Sequence, residues 1–287
     1  MAQKTVRSID CMTATISLPD FNFDYTLQNT VLFQGVGIHS GTEATLSIHP
    51  RAQAGLLLRH QGKDYPLDVS QVQQTHYCTA IGPVQTLEHV LAALYGLGIS
   101  AAVLEVNGPE MPILDGSSLP FVDAILQVGI QALPSERRFI RIQQAWQWQD
   151  GPIQIQVQPS ERLEIHYQID YLRSGCHLQQ TYDFMYSPQA FIDQIAAART
   201  FSFESDVPKM QAAGLIKGGS LDNALVLTDK GASLNSLRFE DEPVRHKILD
   251  CLGDLALLGA SLQAQIQIQY GGHTAHVTMV KSLLAQA

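Results

Sequence analysis

Cysteine is scarce in this chain, and the cysteines that it has are isolated. The 287 residues include four of them, Cys11, Cys78, Cys176 and Cys251, and no Cys-x-x-Cys pair. That usage argues against a disulfide framework and against a sulfur-ligated zinc site. It favours reduced thiols, and we therefore expect a cytoplasmic protein.

Positive charge is also in short supply, and no long apolar run is present. The formal net charge of −9 argues against a protein that binds nucleic acid non-specifically. An anionic small molecule stays compatible with this charge, because it needs only a local basic patch. No apolar run approaches the roughly 20 residues of a membrane-spanning helix. A content of 45% hydrophobic and 16% charged residues is ordinary for a soluble globular protein.

The first 26 residues carry few signals of structure. Lys4 and Arg7, with several serines and threonines, give only a faint likeness to a transit peptide, because two basic residues are too few. We expect residues 1–26 to be a loosely packed extension that the fold does not need.

Strand patterns precede helical patterns twice along the rest of the chain. In the first half, strands come before a helix over residues 119–129. The second half has strand patterns at residues 140–148, 153–158, 163–170, 224–228 and 264–269. A polar break at residues 134–138 separates the halves. We predict an α+β fold with similar domains over residues 27–134 and 138–287, although no close sequence repeat accompanies the repeated order.

A glycine-rich segment, Gly35-Val-Gly-Ile-His-Ser-Gly41, lies between strand patterns at residues 30–34 and 42–49. Its Gly-x-Gly start is shared with phosphate-binding loops. The third glycine of that fingerprint is missing, however, and a strand pattern follows where a helix is needed. The segment is therefore predicted to be a turn between paired strands.

The clearest helix pattern lies near residues 240–258. Acidic residues at 240–242 ahead of Pro243 mark its start, because carboxylates favour the positive end of a helix dipole and proline loses no needed donor there. Gly259 is the expected stop.

An ionisable stripe runs along this helix. His246, Asp250 and Asp254 stand at i, i+4 and i+8, about one turn apart on one side. Such groups on an apolar helix are costly unless they are paired or bind a metal. A His and an Asp one turn apart can hold one cation, and the second Asp can orient another catalytic group. The alternative is a polar edge that reaches solvent.

An earlier helix pattern follows Thr86, which is the expected N-cap. Glu88 and His89 lie in its first turn. For Glu88 alone, a capping role is as good an interpretation as catalysis. Together with the stripe on the later helix, the pair becomes a candidate base and a candidate third metal ligand.

The chain resembles the UDP-3-O-acyl-N-acetylglucosamine deacetylases, the zinc amidases that commit Gram-negative bacteria to lipid A synthesis. The matching segments occur in the family's order from about Asn29 to Leu284. They are Gly35-Val-Gly-Ile-His-Ser-Gly41, Thr86-Leu-Glu-His89, Val106-Asn-Gly-Pro-Glu-Met-Pro-Ile-Leu-Asp-Gly-Ser117, Ala198-Arg-Thr-Phe201, Gly218-Gly-Ser-Leu-Asp222, Arg238-Phe-Glu-Asp-Glu242, Arg245-His-Lys-Ile-Leu-Asp250 and Gly271-Gly-His273. So many segments in register are far more specific than any single motif.

The resemblance implies two similar two-layer α/β sandwich domains with the active site between them. It also implies a zinc ion held by His89, His246 and Asp250. Two imidazoles and a carboxylate suit zinc and leave a fourth position for water. Glu88 is implied as the general base that takes the proton of that water.

The remaining catalytic roles are also implied by the resemblance. His273, in a loop after two glycines, would be the general acid, and Asp254 would keep it charged. Thr200 would offer its hydroxyl to the oxyanion. Without the family, the alternative for His273 is a merely exposed loop residue, and the alternative for Thr200 is a helix cap. His276 is the nearest rival to His273 as the acid. The other histidines are expected to be structural or surface residues: His39, His49, His60, His76, His166 and His177.

The implied substrate has a uridine diphosphate, an acetylated glucosamine and an acyl chain. Lys247 would meet its sugar-nucleotide end through charge, and Phe201 and Phe203 through their rings. The apolar passage for the acyl chain would use Ile216, Gly219, Ser220, Ala224 and Val226. Two positions depart from the family pattern: Tyr270 stands where a lysine is frequent, and His276 stands where an asparagine is frequent.

We therefore expect a monomeric, cytoplasmic, zinc-dependent amidase that releases acetate from a UDP-sugar lipid. One alternative is a hydrolase of this fold that acts on another acetylated sugar or amide, which the Tyr270 departure keeps open. The other is a catalytically inactive binding protein, although Glu88 and the implied ligands are all present.

Overall fold

Alternating buried and exposed side chains build two main sheets in the computed structural model, which describes residues 22–173 and 175–286. A period of two places every second side chain of such strands in the core. The strands are β1 (Phe23–Leu27), β2 (Val31–Val36), β3 (Glu43–Pro50), β4 (Gly55–His60), β5 (Lys63–Pro66), β6 (Val72–Gln74), β7 (Ala80–Ile81), β8 (Ala101–Asn107), β9 (Ile130–Glu136), β10 (Phe139–Arg141), β11 (Trp146–Asp150), β12 (Ile153–Gln158), β13 (Leu163–Arg173), β14 (Cys176–Met185), β15 (Phe201–Phe203), β16 (Leu225–Leu227) and β17 (Ser261–Gln269).

Helices connect and cover these strands. They are α1 (Glu88–Gly96), α2 (Leu119–Val128), α3 (Pro188–Gln194), α4 (Val207–Ala212), α5 (Glu242–Leu255) and α6 (His273–Leu284), with 3₁₀ turns at Val69–Gln71, Glu204–Asp206 and Ala256–Leu258. Within the described residues, no helix has both the length and the apolar character needed to cross a membrane.

The two main sheets share one plan. The first has the order β2-β3-β8-β4-β5 and the second the order β11-β12-β17-β13-β14, with β10 pairing beside the start of β17. In each, the third and fourth strands of that order are parallel and the other neighbours are antiparallel. The predicted α+β fold with two similar units is confirmed.

The helices of the two halves meet in one core. α1 packs on α5, and both belong to an apolar cluster that also contains Leu46 and Leu104 of the first sheet and Ile155 and Ile266 of the second. At the crossing, a Cβ on Gly253 would lie 2.2 Å from the carbonyl oxygen of Glu88. Only glycine lets the two helices approach this closely.

Two segments interrupt the shared plan, one in each half, just before α1 and α5. The first insert (residues 67–87) carries β6 and β7, and the second insert (residues 186–241) carries α3, β15, α4 and β16. The second insert reaches the first half, where the N–H groups of Lys217 and Gly218 donate to the carbonyls of His39 and Ile38 at 3.2 and 3.1 Å.

Several predicted elements agree with the structure. The predicted turn joins the antiparallel strands β2 and β3 over residues 37–42, while Gly35 and Val36 already belong to β2. The helix predicted near residues 240–258 is α5 with its 3₁₀ extension, and Gly259 ends it in the left-handed conformation, φ 61°.

Other expectations are wrong at particular residues. β1 begins at Phe23, inside the expected extension, and pairs with β9; residues 1–21 lie outside the described part of the chain. β9 runs to Glu136, so part of the expected break at 134–138 is strand. The strand predicted at 140–148 is divided between β10 and β11, and β14 had no counterpart among the predicted strands.

Two predicted roles near helix starts are also wrong. Thr86 is not the N-cap of α1: its φ is +61°, and its hydroxyl donates to Glu110 Oε1 at 2.8 Å. The buried carboxylate of Glu110 attracts that hydroxyl away from the helix. His273 is the first residue of α6 and not part of a loop, because Gly272 already serves as the residue before the helix.

Candidate metal centre and active site

Three side chains predicted as metal ligands come together where α1 meets α5. His89 lies at the start of α1, and His246 and Asp250 lie one turn apart on α5. Asp250 Oδ1 is 3.3 Å from His246 Nε2 and 4.0 Å from His89 Nε2. One ligand atom from each of the three side chains lies within 4.8 Å of the others, and all three residues are buried.

The ring orientations of this set fit a divalent cation. His246 Nδ1 donates to the carbonyl of Ala198 at 3.0 Å, which leaves Nε2 as the nitrogen that faces Asp250. Burial lowers the pKa of His89 to about 3, so its ring is neutral. His89 Nδ1 is buried with no hydrogen-bond partner among the described residues. Two imidazoles and a carboxylate are a donor set that zinc accepts.

Asp250 is ionised because cations surround it. Burial alone would raise the pKa of Asp250, but Lys247 and His246 outweigh burial and hold it well below its usual range. Lys247 Nζ lies 2.5 Å from Oδ2, the oxygen that does not face the two imidazoles. Lys247 therefore orients the carboxylate while keeping its own charge at the edge of the site.

Glu88 lies beside the ligand set in the first turn of α1. Its Oε2 accepts the N–H of Thr79 at 2.9 Å, and its Oε1 lies 3.8 Å from His273 Nε2. Burial raises the pKa of Glu88 to about 7, although the charge of His273 opposes this shift. A carboxylate with a pKa near neutrality suits general-base catalysis.

His273 is held as a cation on the other side of the site. Its Nδ1 donates to Asp254 Oδ2 at 2.8 Å, and its Nε2 faces Glu88 and Asp250. Burial alone would lower the pKa of His273, but Asp254 and Glu88 raise it to about 9. At neutral pH the ring can therefore donate a proton from Nε2 into the site.

His276, the rival for this role, has neither nitrogen available. Its Nδ1 lies 2.9 Å from Asp254 Oδ2, and its Nε2 lies 3.0 Å from the hydroxyl of Tyr167. Burial lowers the pKa of His276 and raises that of Tyr167, so a tyrosine O–H donating to a neutral ring accounts for the contact. The geometry favours His273 as the proton donor.

A cavity of about 790 Å³ opens beside these groups and takes its lining from both halves. Glu88, His89, Thr200, His246, Asp250 and His273 line it, whereas Asp254 is fully buried behind His273. The predicted substrate residues all belong to the lining: Lys247, Phe201, Phe203, Ile216, Gly219, Ser220, Ala224 and Val226. Tyr270 also lines the cavity.

A buried ion pair fixes the part of the second insert that carries Thr200. Glu242 accepts from Arg199 Nε at 2.8 Å and from the Arg199 backbone N–H at 3.0 Å. The neighbouring Ala198 carbonyl is the one that orients His246. Thr200 stands directly before β15 and does not cap a helix. The pair thus ties the Ala198 carbonyl and Thr200 to the start of α5.

Several residues in or beside the cavity were not predicted as part of the site. His39 was expected to be structural or exposed, yet it lines the cavity, and its buried Nδ1 has no partner among the described residues. Tyr171 and Arg173, at the end of β13, also line it. Thr79 bonds to Glu88 and to Asp254 although it belongs to no recognisable motif. Only the tertiary fold brings these residues to the site.

A buried set of two imidazoles and a carboxylate, flanked by an ionisable carboxylate and a charged imidazole, is the arrangement of a metal-dependent hydrolase. The comparison with protein families is more specific. The model of the UDP-3-O-acyl N-acetylglycosamine deacetylase family matches residues 24–285. The chain belongs to this family.

Individual relatives agree with the family match. A UDP-3-O-acyl-N-acetylglucosamine deacetylase of Anaeromyxobacter dehalogenans is 39% identical over 271 residues, which cover 91% of this chain and 87% of the relative. Enzymes of the same name from Leptospira biflexa and Haemophilus influenzae are 39% and 36% identical, each over 91% of this chain and 89% of the relative.

Proposed function

We propose that this protein hydrolyses the N-acetyl group of a UDP-3-O-acyl-N-acetylglucosamine, releasing acetate, in lipid A biosynthesis. Its family and relatives carry this activity in their names. The observation that carries the proposal is the convergence of His89, His246 and Asp250 with Glu88 and His273 in one cavity.

We propose zinc as the metal and His89, His246 and Asp250 as its ligands. When bound, zinc supplies Lewis-acid activation of a water molecule and of the acetyl carbonyl. The remaining chemistry belongs to the side chains around it. Glu88 lines the cavity, and its Oε1 takes a proton from the attacking water while its Oε2 is held by the Thr79 N–H.

His273 completes the proton transfer. The amide nitrogen must gain a proton before it can leave as an amine, and His273 Nε2 carries one because its pKa is raised to about 9. Asp254 balances the charge of the His273 ring by accepting a hydrogen bond from its other nitrogen, Nδ1. Thr200 lines the same cavity and offers its hydroxyl to the developing oxyanion.

The lining of the cavity offers contacts for the rest of the substrate. Lys247 provides a positive charge for the sugar-nucleotide end, and Phe201 and Phe203 provide rings. The part of the second insert from Ile216 to Val226 contributes small and apolar side chains for the acyl chain. Monomeric state, cytoplasmic location and the domain limits 27–134 and 138–287 stay predictions.

Acetate release from UDP-3-O-(3-hydroxyacyl)-N-acetylglucosamine is the direct test. The purified protein should release acetate, lose the activity with its zinc on dialysis against a chelator, and regain it when zinc is added. UDP-N-acetylglucosamine without the acyl chain serves as the comparison substrate and should react far more slowly. Equal rates on both would favour a hydrolase of another acetylated sugar, and no release from either would refute the proposal.

A further inference from the structure

Thr79 occupies a junction between the two proton-transfer groups. It lies in the first insert, directly before β7, and is fully buried. Its carbonyl accepts the N–H of Leu87 at 3.1 Å, and its own N–H donates to Glu88 Oε2 at 2.9 Å. Two hydrogen bonds, one with the Leu87 N–H and one with the Glu88 side chain, therefore fix the main chain of Thr79 beside the base.

The hydroxyl of Thr79 points to the acid side of the site. It donates to Asp254 Oδ1 at 2.5 Å and lies 3.3 Å from His273 Nδ1. The other oxygen of Asp254, Oδ2, receives both His273 and His276. The Thr79 hydroxyl thus holds Oδ1, and with it the plane of the carboxylate.

We propose that Thr79 is a positioning residue that sets the spacing between Glu88 and His273, a role that rests on the proposed function. Its N–H directs Glu88 Oε1 into the cavity by holding Oε2. Its hydroxyl stops the Asp254 carboxylate from rotating, so that Oδ2 keeps His273 Nε2 at 3.8 Å from Glu88 Oε1. One residue of the first insert thereby aligns side chains that come from α1, α5 and α6.

Thr79→Val tests the hydroxyl, because valine keeps the shape and the backbone N–H. We expect kcat to fall by about 10- to 100-fold, the loss typical of a small misplacement of reacting groups, with KM changed less than about threefold. Bound zinc should stay at the wild-type level. Thr79→Ser, which restores the hydroxyl, should recover most of kcat. Thr26→Val is the matched control. Thr26 lies on β1, outside the cavity lining, and the change removes a buried hydroxyl that accepts the backbone N–H of Arg51.

A double-mutant cycle with Asp254→Asn tests the route of the effect. If Thr79 acts through Asp254, the loss in Thr79→Val/Asp254→Asn should be clearly smaller than the product of the two single losses. The proposal would be overturned if the loss of kcat in the double variant equalled the product of the two single losses. It would also be overturned by wild-type kcat in Thr79→Val, or by equal losses of kcat in the Ser and Val variants. An inactive wild-type protein would instead refute the deacetylase function itself, so the two failures are distinguishable.

Discussion

Opposite pKa shifts in two neighbouring side chains create the working pH range of the site. Burial raises the pKa of Glu88 to about 7, so its carboxylate accepts a proton only above that pH. Burial alone would lower the pKa of His273, but Asp254 and Glu88 raise it to about 9. Its ring therefore donates a proton only below that pH. We expect kcat/KM to follow a bell between these limits, with the acidic limb moved lower by a bound divalent cation. A pH–rate profile without an alkaline limb would contradict the assignment of His273.

Asp254→Asn should move the alkaline limb to lower pH. The Asp254 charge favours the imidazolium form of His273, so its removal lowers the pKa of that ring. The check is the pH profile of the variant at full zinc content. An alkaline limb at the wild-type position would mean that another group supplies the proton.

Variants of the proposed base and acid should differ in zinc content from variants of the proposed metal ligands. Glu88→Gln and His273→Ala should keep their zinc and lose about 10²- to 10⁴-fold in rate. His246→Ala and Asp250→Ala should lose zinc and activity together, because each removes a ligand. Zinc content measured beside each rate makes the distinction, and full zinc in the ligand variants would contradict the proposed site.

His276→Asn should keep the alkaline limb of the pH–rate profile, since both nitrogens of His276 are already engaged in hydrogen bonds.

At the scale of elements, the crossing of α1 and α5 holds the ligand set together. A methyl group on Gly253 would strike the Glu88 carbonyl, so Gly253→Ala should push α5 away from α1 and separate His89 from the two ligands on α5. We expect weaker zinc binding by calorimetry as well as a lower Tm. Gly96→Ala is the control, because its Cβ would strike the Phe191 ring at the other end of α1. It should lower Tm without weakening zinc binding.

The elements that could be predicted from the sequence are those with local signals. α5 has acidic residues and proline at its start, a one-turn repeat of ionisable groups and a glycine at its end, so its bounds and two ligands were predictable. Thr86 was misassigned because its hydroxyl bonds to Glu110, 24 residues away in the chain. Thr79 was not predictable, since its contact with Asp254 joins residues 175 positions apart. The roles of His273 and Thr200 came from the family resemblance.

For the whole molecule, β1 is the element whose removal is most informative. Its Leu27 is fully buried, and its Asp24 accepts from Ser100 and Ser135 at 2.7 and 2.8 Å. Losing one buried leucine costs about 2–5 kcal/mol, so deletion of residues 1–27 should lower Tm by at least about 5 °C. Deletion of residues 1–21 is the control and should leave Tm and acetate release nearly unchanged. Equal Tm values for the two truncated proteins would show that β1 adds little.

The tight contact between Gly253 and Glu88 locks α5 against α1 where the two halves meet. Their shared core makes them one cooperative unit, so we expect substrate binding to move the inserts and not to swing the halves apart. Amide hydrogens of α1 and α5 should then exchange with deuterium only through global unfolding, whereas those of residues 67–87 and 186–241 should exchange through smaller openings. Added UDP-sugar lipid should slow exchange in the inserts far more than in the two helices.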